Sequence, residues 1–334
     1  MDRGTLTDGR FAAGVALCLV ASLAVWRLAA LPWNSRIQAS PLTLAILAGM
    51  LLGNVAGGRI SRLNPGLSFA QQKLLRFGII LYGVRLTLQD LYHLGLQALM
   101  LDLAVIAAVL LIGYRFGTRV LGMDPDTALL VSAGSGICGA AAVLATDKVI
   151  ESEAHKVSVA VATVVVFGTI AMFLYPILYP LTGFTERQFG IYTGATVHEV
   201  AQVLAAGRTV SGLVADTAVI TKMLRVLLLA PVLLIVGQAR RKQDGGSRQI
   251  SFPWFVLGFL AVIAIQSLWH VPTAVRSSLI ECDTILLGSA MFALGINTRW
   301  DQLRRAGSRP LLLGATLFAG LVTGGFVLTA VVVR

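Results

Sequence analysis

At the centre of this chain is the sequence Ala133-Gly-Ser-Gly-Ile-Cys-Gly-Ala-Ala-Ala-Val-Leu-Ala-Thr-Asp147, which lies inside a long apolar segment. It contains Gly134, Gly136 and Gly139 within six residues. Each glycine costs an α-helix about 1 kcal/mol relative to alanine, so this density predicts a break in the helix. Backbone groups that a break frees inside a bilayer must be satisfied by protein or by a water-filled cavity. We therefore interpret this sequence as a candidate site that the rest of the chain supports.

The composition is typical of a polytopic α-helical membrane protein. Hydrophobic residues make up 56% of the 334 residues and charged residues only 13%, whereas a soluble domain has about 25% charged residues. The first apolar segment could be a signal-peptide core, but a retained membrane span is favoured because many spans follow. The eleven predicted segments are 11–26, 42–57, 70–89, 95–118, 127–147, 157–181, 188–207, 213–238, 252–270, 280–297 and 310–333. Because the apolar signal is continuous, residues 1–334 are predicted to form a single membrane transporter domain.

The net charge of +11 would suggest a nucleic-acid partner in a soluble protein. Here the basic residues mostly cluster in short loops, which is the positive-inside pattern of membrane proteins, and no nucleic acid is predicted. The clusters are Arg59, Arg62, Lys73 and Arg76; Arg115 and Arg119; Arg240, Arg241, Lys242 and Arg248; and Arg299, Arg304, Arg305 and Arg309. They predict a multi-pass protein of the cell (inner) membrane with its N-terminus in the cytoplasm and its C-terminus outside.

Two sets of internal repeats are visible. The repeat-related segments are 70–118 with 280–333, and 127–181 with 188–238. In the first set Gly78–Asp90 resembles Gly288–Asp301, and in the second Gly134–Ala145 resembles Gly194–Ala205, which lies 60 positions later (194 − 134 = 60). The first set is inverted because an odd number of crossings separates its members. The second set is inverted only if its glycine-broken segments are re-entrant; it is parallel if both cross the membrane.

The sequence favours two broken or re-entrant helices that meet near the membrane midplane. Inverted repeats with paired broken helices are typical of secondary transporters, whose substrate sites lie where the half-helices meet. The fold class predicted is therefore an all-α polytopic membrane protein built from inverted repeats.

His198, Glu199 and Gln202 are predicted to share one polar stripe, because residues three and four apart face the same side of a helix. An ionisable residue inside a bilayer is costly and is a functional hypothesis by default. Histidine titrates near neutral pH, so His198 and Glu199 are candidates for coupling to protons, and Gln202 for binding substrate. The alternative is that the segment starts near the interface and that Glu199 only pairs with a buried cation.

Lys222 and Arg225 share a face of another apolar segment, Thr217–Leu229. Two cations there must meet carboxylates or an anion. One interpretation is an anion site, to which arginine offers a planar pair of donors. The other is a structural pairing with Glu199 or Asp102. Asp102 itself is a candidate ligand of a coupling ion or a member of a structural salt bridge.

The glycine-rich segment adds backbone donors to the candidate site. Gly134, Ser135, Gly136, Cys138 and Gly139 are predicted to expose N–H groups at a half-helix N-terminus, which attracts anions. The alternative is a close contact between helices, which small residues allow. A catalytic thiol at Cys138 is not favoured, since no partner is indicated.

No phosphate loop, metal-ligand cluster or catalytic triad is evident, and Cys18, Cys138 and Cys282 are too widely spaced for a disulfide framework. The sequence therefore predicts no enzyme activity, no cofactor and no metal. Arg85, at the end of its segment, is expected at the membrane interface with its side chain reaching towards water.

These residues resemble the YeiH-type family of membrane proteins. The resemblance is carried by Gly136-Ile-Cys-Gly-Ala-Ala-Ala142, by Thr196-Val-His-Glu-Val-Ala-Gln-Val-Leu-Ala-Ala-Gly207, by Lys222-Met-Leu-Arg-Val226 and by Leu74–Gly83. Gly136 stands where the family usually has serine, and Ala141 stands where a small polar residue is common. The resemblance implies an inner-membrane protein of the superfamily of antiporters and bile-acid-type symporters, and export of sulfate.

Together these observations predict a secondary active transporter of a small anion. Sulfate, a related sulfur oxyanion or an organosulfonate is the expected substrate, moved outward with H⁺ as coupling ion or, failing that, Na⁺. A coupled transporter of a different small organic anion and a passive channel are competing hypotheses. A membrane enzyme is a third, but the sequence shows no nucleophile–base pair for it. A homodimer is a further expectation.

Overall fold

The structure is a computed structural model that describes residues 9–31, 40–56, 60, 62–244, 254–269, 272–298 and 307–333. Within these residues it contains helices and no β-strand, which confirms the all-α class for this part of the chain. The α-helices are α1 Gly9–Ala29, α2 Pro41–Ala56, α3 Asn64–Phe69, α4 Leu75–Tyr82, α5 Leu88–Arg115, α6 Pro125–Gly136, α7 Ala140–Ile150, α8 Ala154–Thr182, α9 Glu186–Thr196, α10 Val200–Val210, α11 Gly212–Leu227, α12 Leu229–Asp244, α13 Trp254–Leu268, α14 Thr273–Asn297 and α15 Ser308–Val332. Short π-helical turns occupy Ala70–Leu74 and Phe116–Val120, and a 3-10 turn occupies Gly83–Arg85.

Six helical segments in the described residues are long and apolar enough to cross a membrane, which makes the chain a membrane protein. They are Gly9–Ala29, Leu94–Val120, Ala154–Thr182, Gly212–Gln238, Thr273–Asn297 and Ser308–Val332. Helices α2 and α13 are apolar but shorter. The orientation prediction falls partly outside the described residues, which leave out Arg59, Arg248, Arg299, Arg304 and Arg305, and so does the end of the predicted repeat Gly288–Asp301.

The chain divides into two compact units, and the first contains α1 to α4, α13 and α14. Glycines bring its helices into close contact. A Cβ at Gly295 of α14 would lie 3.0 Å from the Cα of Gly49 in α2, and a Cβ at Gly14 of α1 would lie 2.9 Å from the Cα of Gly66 in α3. Small residues at such positions let helices approach closely enough for their backbones to pack, which is how helices associate in membranes.

Arg85 is paired, so the expectation that its side chain reaches towards water is wrong, whereas its position at the membrane interface stays a prediction. Its guanidinium donates two hydrogen bonds to Oδ2 of Asp283 in α14, at 3.0 Å from Nε and 2.6 Å from Nη2. Asp283 is fully buried and the Arg85 side chain is 17% exposed. A buried carboxylate needs a charged or hydrogen-bonding partner, and this requirement outweighs the hydration that an interfacial arginine would gain.

The second unit contains α6 to α12, α15 and the part of α5 that follows Asp90. Two glycines one helical turn apart in α9 let α11 pack against it. A Cβ at Gly190 would lie 2.6 Å from the Cβ of Thr217. A Cβ at Gly194 would lie at the same distance, 2.6 Å, from the Cβ of Thr221. This close packing brings the α11 face that carries Lys222 and Arg225 against the end of α9.

Candidate functional site at the crossing of two broken helices

The first broken helix consists of α6 and α7. Helix α6 ends at Gly136 and α7 begins at Ala140, so residues 137–139 form a break where the glycines predict one. Gly139 has φ of 69° and ψ of −139°, a conformation that residues with a Cβ rarely adopt. A Cβ at Gly139 would also overlap the side chain of Glu199. Glycine is therefore needed here for the backbone conformation and for the close approach of the second broken helix.

The second broken helix consists of α9 and α10. Helix α9 ends at Thr196 and α10 begins at Val200, and between them Val197 and Glu199 have extended backbone conformations. The Glu199 N–H donates to Oε1 of Gln202 over 3.1 Å, which satisfies one donor at the start of α10. The Gln202 side chain lies where a Cβ of Gly168 in α8 would be, so a glycine in α8 makes room for this amide.

Side-chain hydrogen bonds join the two breaks. The backbone N–H of Ala140, at the start of α7, donates to Oε1 of Glu199 over 3.1 Å. Lys222 Nζ donates to the carbonyl oxygens of Ile137 and Val197, at 2.9 and 2.6 Å. One buried ammonium therefore bridges the two interruptions. We call this region the crossing and define it as residues 134–141 and 195–202 with Asp102, Lys222 and Arg225.

Arg225 binds the same helix ends one turn further along α11. Its Nε donates to the carbonyl oxygen of Gly136 over 2.8 Å, Nη2 donates to that oxygen as well, and Nη1 donates to the carbonyl oxygen of Ala195. The C-terminal end of a helix carries unpaired carbonyls and a partial negative charge. The two cations thus stabilise the ends of α6 and α9, an arrangement that neither sequence interpretation of these residues includes.

The charges of the crossing match the helix ends they contact. Lys222 and Arg225 lie at the negative ends of α6 and α9, and Glu199 lies at the positive end of α7. Asp102 of α5 is fully buried and interacts electrostatically with both cations. The structure therefore brings together Asp102 and the residues predicted near 138, 198 and 222 within one unit; their roles in binding and coupling remain predictions.

Several buried polar atoms at the crossing have no hydrogen-bond partner among the described residues. They are both carboxylate oxygens of Asp102, both ring nitrogens of His198, Nε2 of Gln202 and Oγ of Ser135. All four residues are at most 1% exposed. A buried polar group without a partner costs about 1–3 kcal/mol, so the crossing has hydrogen-bonding capacity that a proton, water or ligand would satisfy.

One face of the crossing is accessible. Ala141 is exposed, Ala140 and Glu199 are half-buried, and His198, Lys222 and Arg225 are buried. The start of α7 and Glu199 are therefore the less buried part of the crossing, and the two cations are its more buried part.

Ser135 and Gly136 do not lie at the start of a half-helix, which corrects one detail of the sequence interpretation. They occupy the last turn of α6, where carbonyls rather than N–H groups are unpaired, and the following helix starts at Ala140. Gly134 packs against Val143 and Val164, as expected for a close helix contact. Glycine density indicates that a break occurs, but it does not indicate which residue begins the next helix.

Sequence reasoning missed an aromatic layer beside the crossing. Tyr175 Oη donates to Oγ1 of Thr196 over 2.8 Å, and Thr196 Oγ1 donates to the carbonyl oxygen of Tyr192. The rings of Tyr175 and Tyr192 stack with centroids 4.9 Å apart, and the His198 ring lies 6.4 Å from that of Phe318 in α15. Aromatic residues occur at several positions of α8, α9 and α15, so the sequence does not indicate which of them line the crossing.

Comparison with known proteins gives a family without a described activity. The model of a family described as "Conserved hypothetical protein 698" matches residues 13–314. The UPF0324 membrane protein PA5383 of Pseudomonas aeruginosa is 48% identical over 310 residues, which cover 89% of this chain and 87% of that protein. The UPF0324 inner membrane protein YeiH of Escherichia coli K12 is 46% identical over 324 residues, 94% of this chain and 92% of that protein. No solved structure matches the chain significantly.

Proposed function

The chain belongs to the conserved hypothetical protein 698 family, and we propose that it is a secondary active transporter of a small anion. The observation that carries the proposal is the gathering of ionisable side chains at two helix breaks. These residues are Asp102, Glu199, Lys222 and Arg225. Buried ionisable residues in membrane proteins are functional hypotheses by default, and paired broken helices are typical of transporter sites.

The charge balance of the crossing supports proton coupling. When ionised, Asp102 and Glu199 carry two negative charges and Lys222 and Arg225 carry two positive charges. An anion that entered alone would leave one uncompensated charge in a buried site, which is costly. One proton that enters with a monovalent anion keeps the sum unchanged. Glu199, His198 and Asp102 are the proposed coupling residues. A Na⁺ ion that entered in place of the proton would also keep the net charge of the crossing unchanged.

The proposed substrate is a sulfur oxyanion such as sulfate, or an organosulfonate. Because the proton binds together with the anion, outward movement requires an outward anion gradient that exceeds the inward proton gradient. The start of α7 at Ala140, the unpartnered Nε2 of Gln202 and the remaining donor capacity of Lys222 are the groups that would bind its oxygens. Backbone N–H groups at a helix N-terminus and ammonium groups both favour oxyanions. In this proposal the protein is a transporter and not an enzyme.

The proposal also includes an architecture and an orientation. Eleven apolar segments would form inverted repeats that pair 70–118 with 280–333 and 127–181 with 188–238. The crossing would lie near the midplane of the inner membrane, with the N-terminus in the cytoplasm and the C-terminus outside. Movement of one repeat bundle against the other would expose the crossing to each side in turn.

Flux measurements on the full-length protein in proteoliposomes test this function. We expect accumulation of radiolabelled sulfate or methanesulfonate that depends on an imposed pH gradient. His198→Ala and Glu199→Gln should each abolish the accumulation. Glu186→Gln is the matched control, because Glu186 is a carboxylate in the first turn of α9, outside the crossing.

Three outcomes would contradict the proposal. Accumulation that both crossing variants leave unchanged would reject the site. Flux that follows the anion gradient alone, with no response to a pH or sodium gradient, would indicate a channel, while no flux of either anion would reject the substrate class.

A further inference from the structure

We propose that the Glu199 carboxylate is a tethered competitor of the transported anion: it occupies the N-terminus of α7 and vacates it on taking up a proton. This inference rests on the proposed function and adds the step that links the proton to the anion. It concerns one contact between the two broken helices, the hydrogen bond from Ala140 to Glu199.

The contact places a carboxylate where a substrate oxyanion would bind. The Ala140 N–H donates to Oε1 of Glu199 over 3.1 Å at the first turn of α7, a helix of 11 residues. Unpaired N–H groups and the partial positive charge of a helix N-terminus attract anions of any origin. A carboxylate oxygen and a sulfonate or sulfate oxygen are both acceptors, so the two compete for the same donor.

A second observation at the same place indicates a ligand with several oxygens. Gln202 is fully buried, its Oε1 accepts the Glu199 N–H, and its Nε2 has no hydrogen-bond partner among the described residues. Because both atoms belong to one amide group, the unpaired donor lies next to the Glu199 backbone. Part of the inference is that an oxyanion that displaced the carboxylate extends past the Glu199 backbone to this donor, which lies against Gly168 of α8.

The accessible face of the crossing permits the exchange. Glu199 and Ala140 are half-buried and Ala141 is exposed, whereas Lys222 and Arg225 are buried and bound to backbone carbonyls. When the carboxylate leaves the start of α7, the hydrogen bond from Ala140 is lost, but Lys222 and Arg225 still hold the two breaks together. Gly139, which has no Cβ, leaves the space in which the Glu199 side chain lies.

The exchange conserves charge for a monovalent anion. The Glu199 carboxylate takes one proton from solvent and becomes a neutral carboxyl group, its hydrogen bond from Ala140 breaks, and an oxygen of the anion accepts that N–H instead. One positive and one negative charge enter together. The ionisable groups near Glu199 are the Lys222 ammonium of α11 and the uncharged Cys138 thiol of the first break.

The surrounding charges make Glu199 the group that exchanges. His198 precedes Glu199 in the same break. Lys222 interacts electrostatically with Asp102 and Arg225 as well as with Glu199. Asp102 and the two cations are fully buried, so Glu199 is the charged side chain of the crossing that is accessible within the described residues.

Equilibrium binding of methanesulfonate to the full-length protein in nanodiscs, between pH 5.5 and 8.5, tests the inference. We expect the apparent Kd of the wild type to rise about tenfold per pH unit where Glu199 is ionised, as linkage to one proton requires. Glu199→Gln should bind with no pH dependence and, at pH 8, as tightly as the wild type at low pH. Glu186→Gln, in a helix that also has 11 residues, should keep the wild-type slope.

The outcomes separate this inference from the proposed function. A Glu199→Gln protein that binds methanesulfonate with the wild-type slope would overturn the inference and leave the transporter proposal standing. Failure of the wild type to bind methanesulfonate or sulfate at any pH would overturn both. If Glu199→Gln does not fold, proton uptake by the wild type decides: one proton per methanesulfonate supports the inference, and none overturns it.

Discussion

Lys222 Nζ lies 2.6 Å from the carbonyl oxygen of Val197, so a cation in α11 is fixed to the break between α9 and α10. The same ammonium binds the carbonyl oxygen of Ile137 in the other break at 2.9 Å. A backbone carbonyl without a partner is costly inside a membrane protein. Lys222 of α11 thus stabilises both the break between α6 and α7 and the break between α9 and α10.

Replacing Lys222 should therefore destabilise the second unit as well as affect transport. Lys222→Met keeps the length of the side chain but leaves two buried carbonyls unsatisfied, and we expect a loss of roughly 2–5 kcal/mol in the free energy of unfolding. Thermal unfolding of the purified protein in detergent measures the effect. Lys148→Met is the control, because Lys148 is exposed.

An unchanged melting temperature in Lys222→Met would show that the two carbonyls find other partners. That result would favour the interpretation of Lys222 as an anion-binding residue only.

The helical class and the presence of both breaks could be predicted from the sequence. The lengths of the apolar segments predict the helical class, and the density of glycines at Gly134–Gly139 predicts the α6–α7 break, because glycine weakens a helix wherever it lies. The sequence predicts the α9–α10 break only as a broken segment within residues 188–207, because residues 197–199 contain no glycine.

The prediction that His198, Glu199 and Gln202 share one stripe of a helix is wrong for the first two, because His198 and Glu199 lie in the break before α10, which begins at Val200. The contact that joins Glu199 to Gln202 is the hydrogen bond from the Glu199 N–H to Oε1 of Gln202.

The partners of the buried charges could not be predicted. Lys222 and Arg225 have carboxylate partners available in sequence, yet they bind backbone carbonyls, which are present at every residue and leave no sequence signal. The pairing of Arg85 with Asp283 joins residues 198 positions apart, a separation that no local pattern encodes. Sequence therefore predicts where a helix breaks better than what satisfies the broken ends.

Gly139→Ala should disrupt the crossing. The positive φ of Gly139 is strained for alanine, and the new Cβ would overlap Glu199, so we expect a loss of about 2–4 kcal/mol and no pH-driven flux. Thermal unfolding and the proteoliposome assay measure the two effects. Gly320→Ala is the matched control, since a Cβ there meets nothing within 4 Å and alanine favours the helix by about 1 kcal/mol.

Equal stability and flux in the two glycine variants would contradict the requirement for glycine at position 139. It would mean that the α6–α7 break can take up a conformation that alanine tolerates.

The stability of the first unit should depend on the buried pair of Arg85 and Asp283. Arg85→Leu leaves the Asp283 carboxylate without its guanidinium, and we expect a loss of about 3–5 kcal/mol. The double variant Arg85→Leu with Asp283→Leu should recover most of that loss, because it removes the buried charge too. A double-mutant cycle by thermal unfolding gives the coupling between the two residues, and additive effects would show that they do not interact.

The carboxyl group of Asp124 should make the stability of the fold depend on pH. Burial alone would raise the pKa of its carboxyl group, but the hydrogen bonds from the Thr127 N–H and from Lys156 outweigh burial and hold that pKa below its usual range. A carboxyl group with a lowered pKa stabilises the fold above its unfolded-state pKa, and this contribution is lost as the pH falls through the folded-state pKa. Asp124 is 41% exposed, so screening keeps the contribution below about 1 kcal/mol.

Asp124→Asn keeps the capping geometry but removes the charge. Its melting temperature should therefore lie slightly below that of the wild type at pH 7, and the difference should vanish as the pH is lowered towards 3, because protonation then removes the charge from the wild type as well. Thermal unfolding at both pH values, with Glu186→Gln as a control for loss of an unrelated carboxylate, measures this convergence. A difference that persists unchanged at low pH would mean that the asparagine disturbs the start of α6 itself rather than the charge interaction with Lys156.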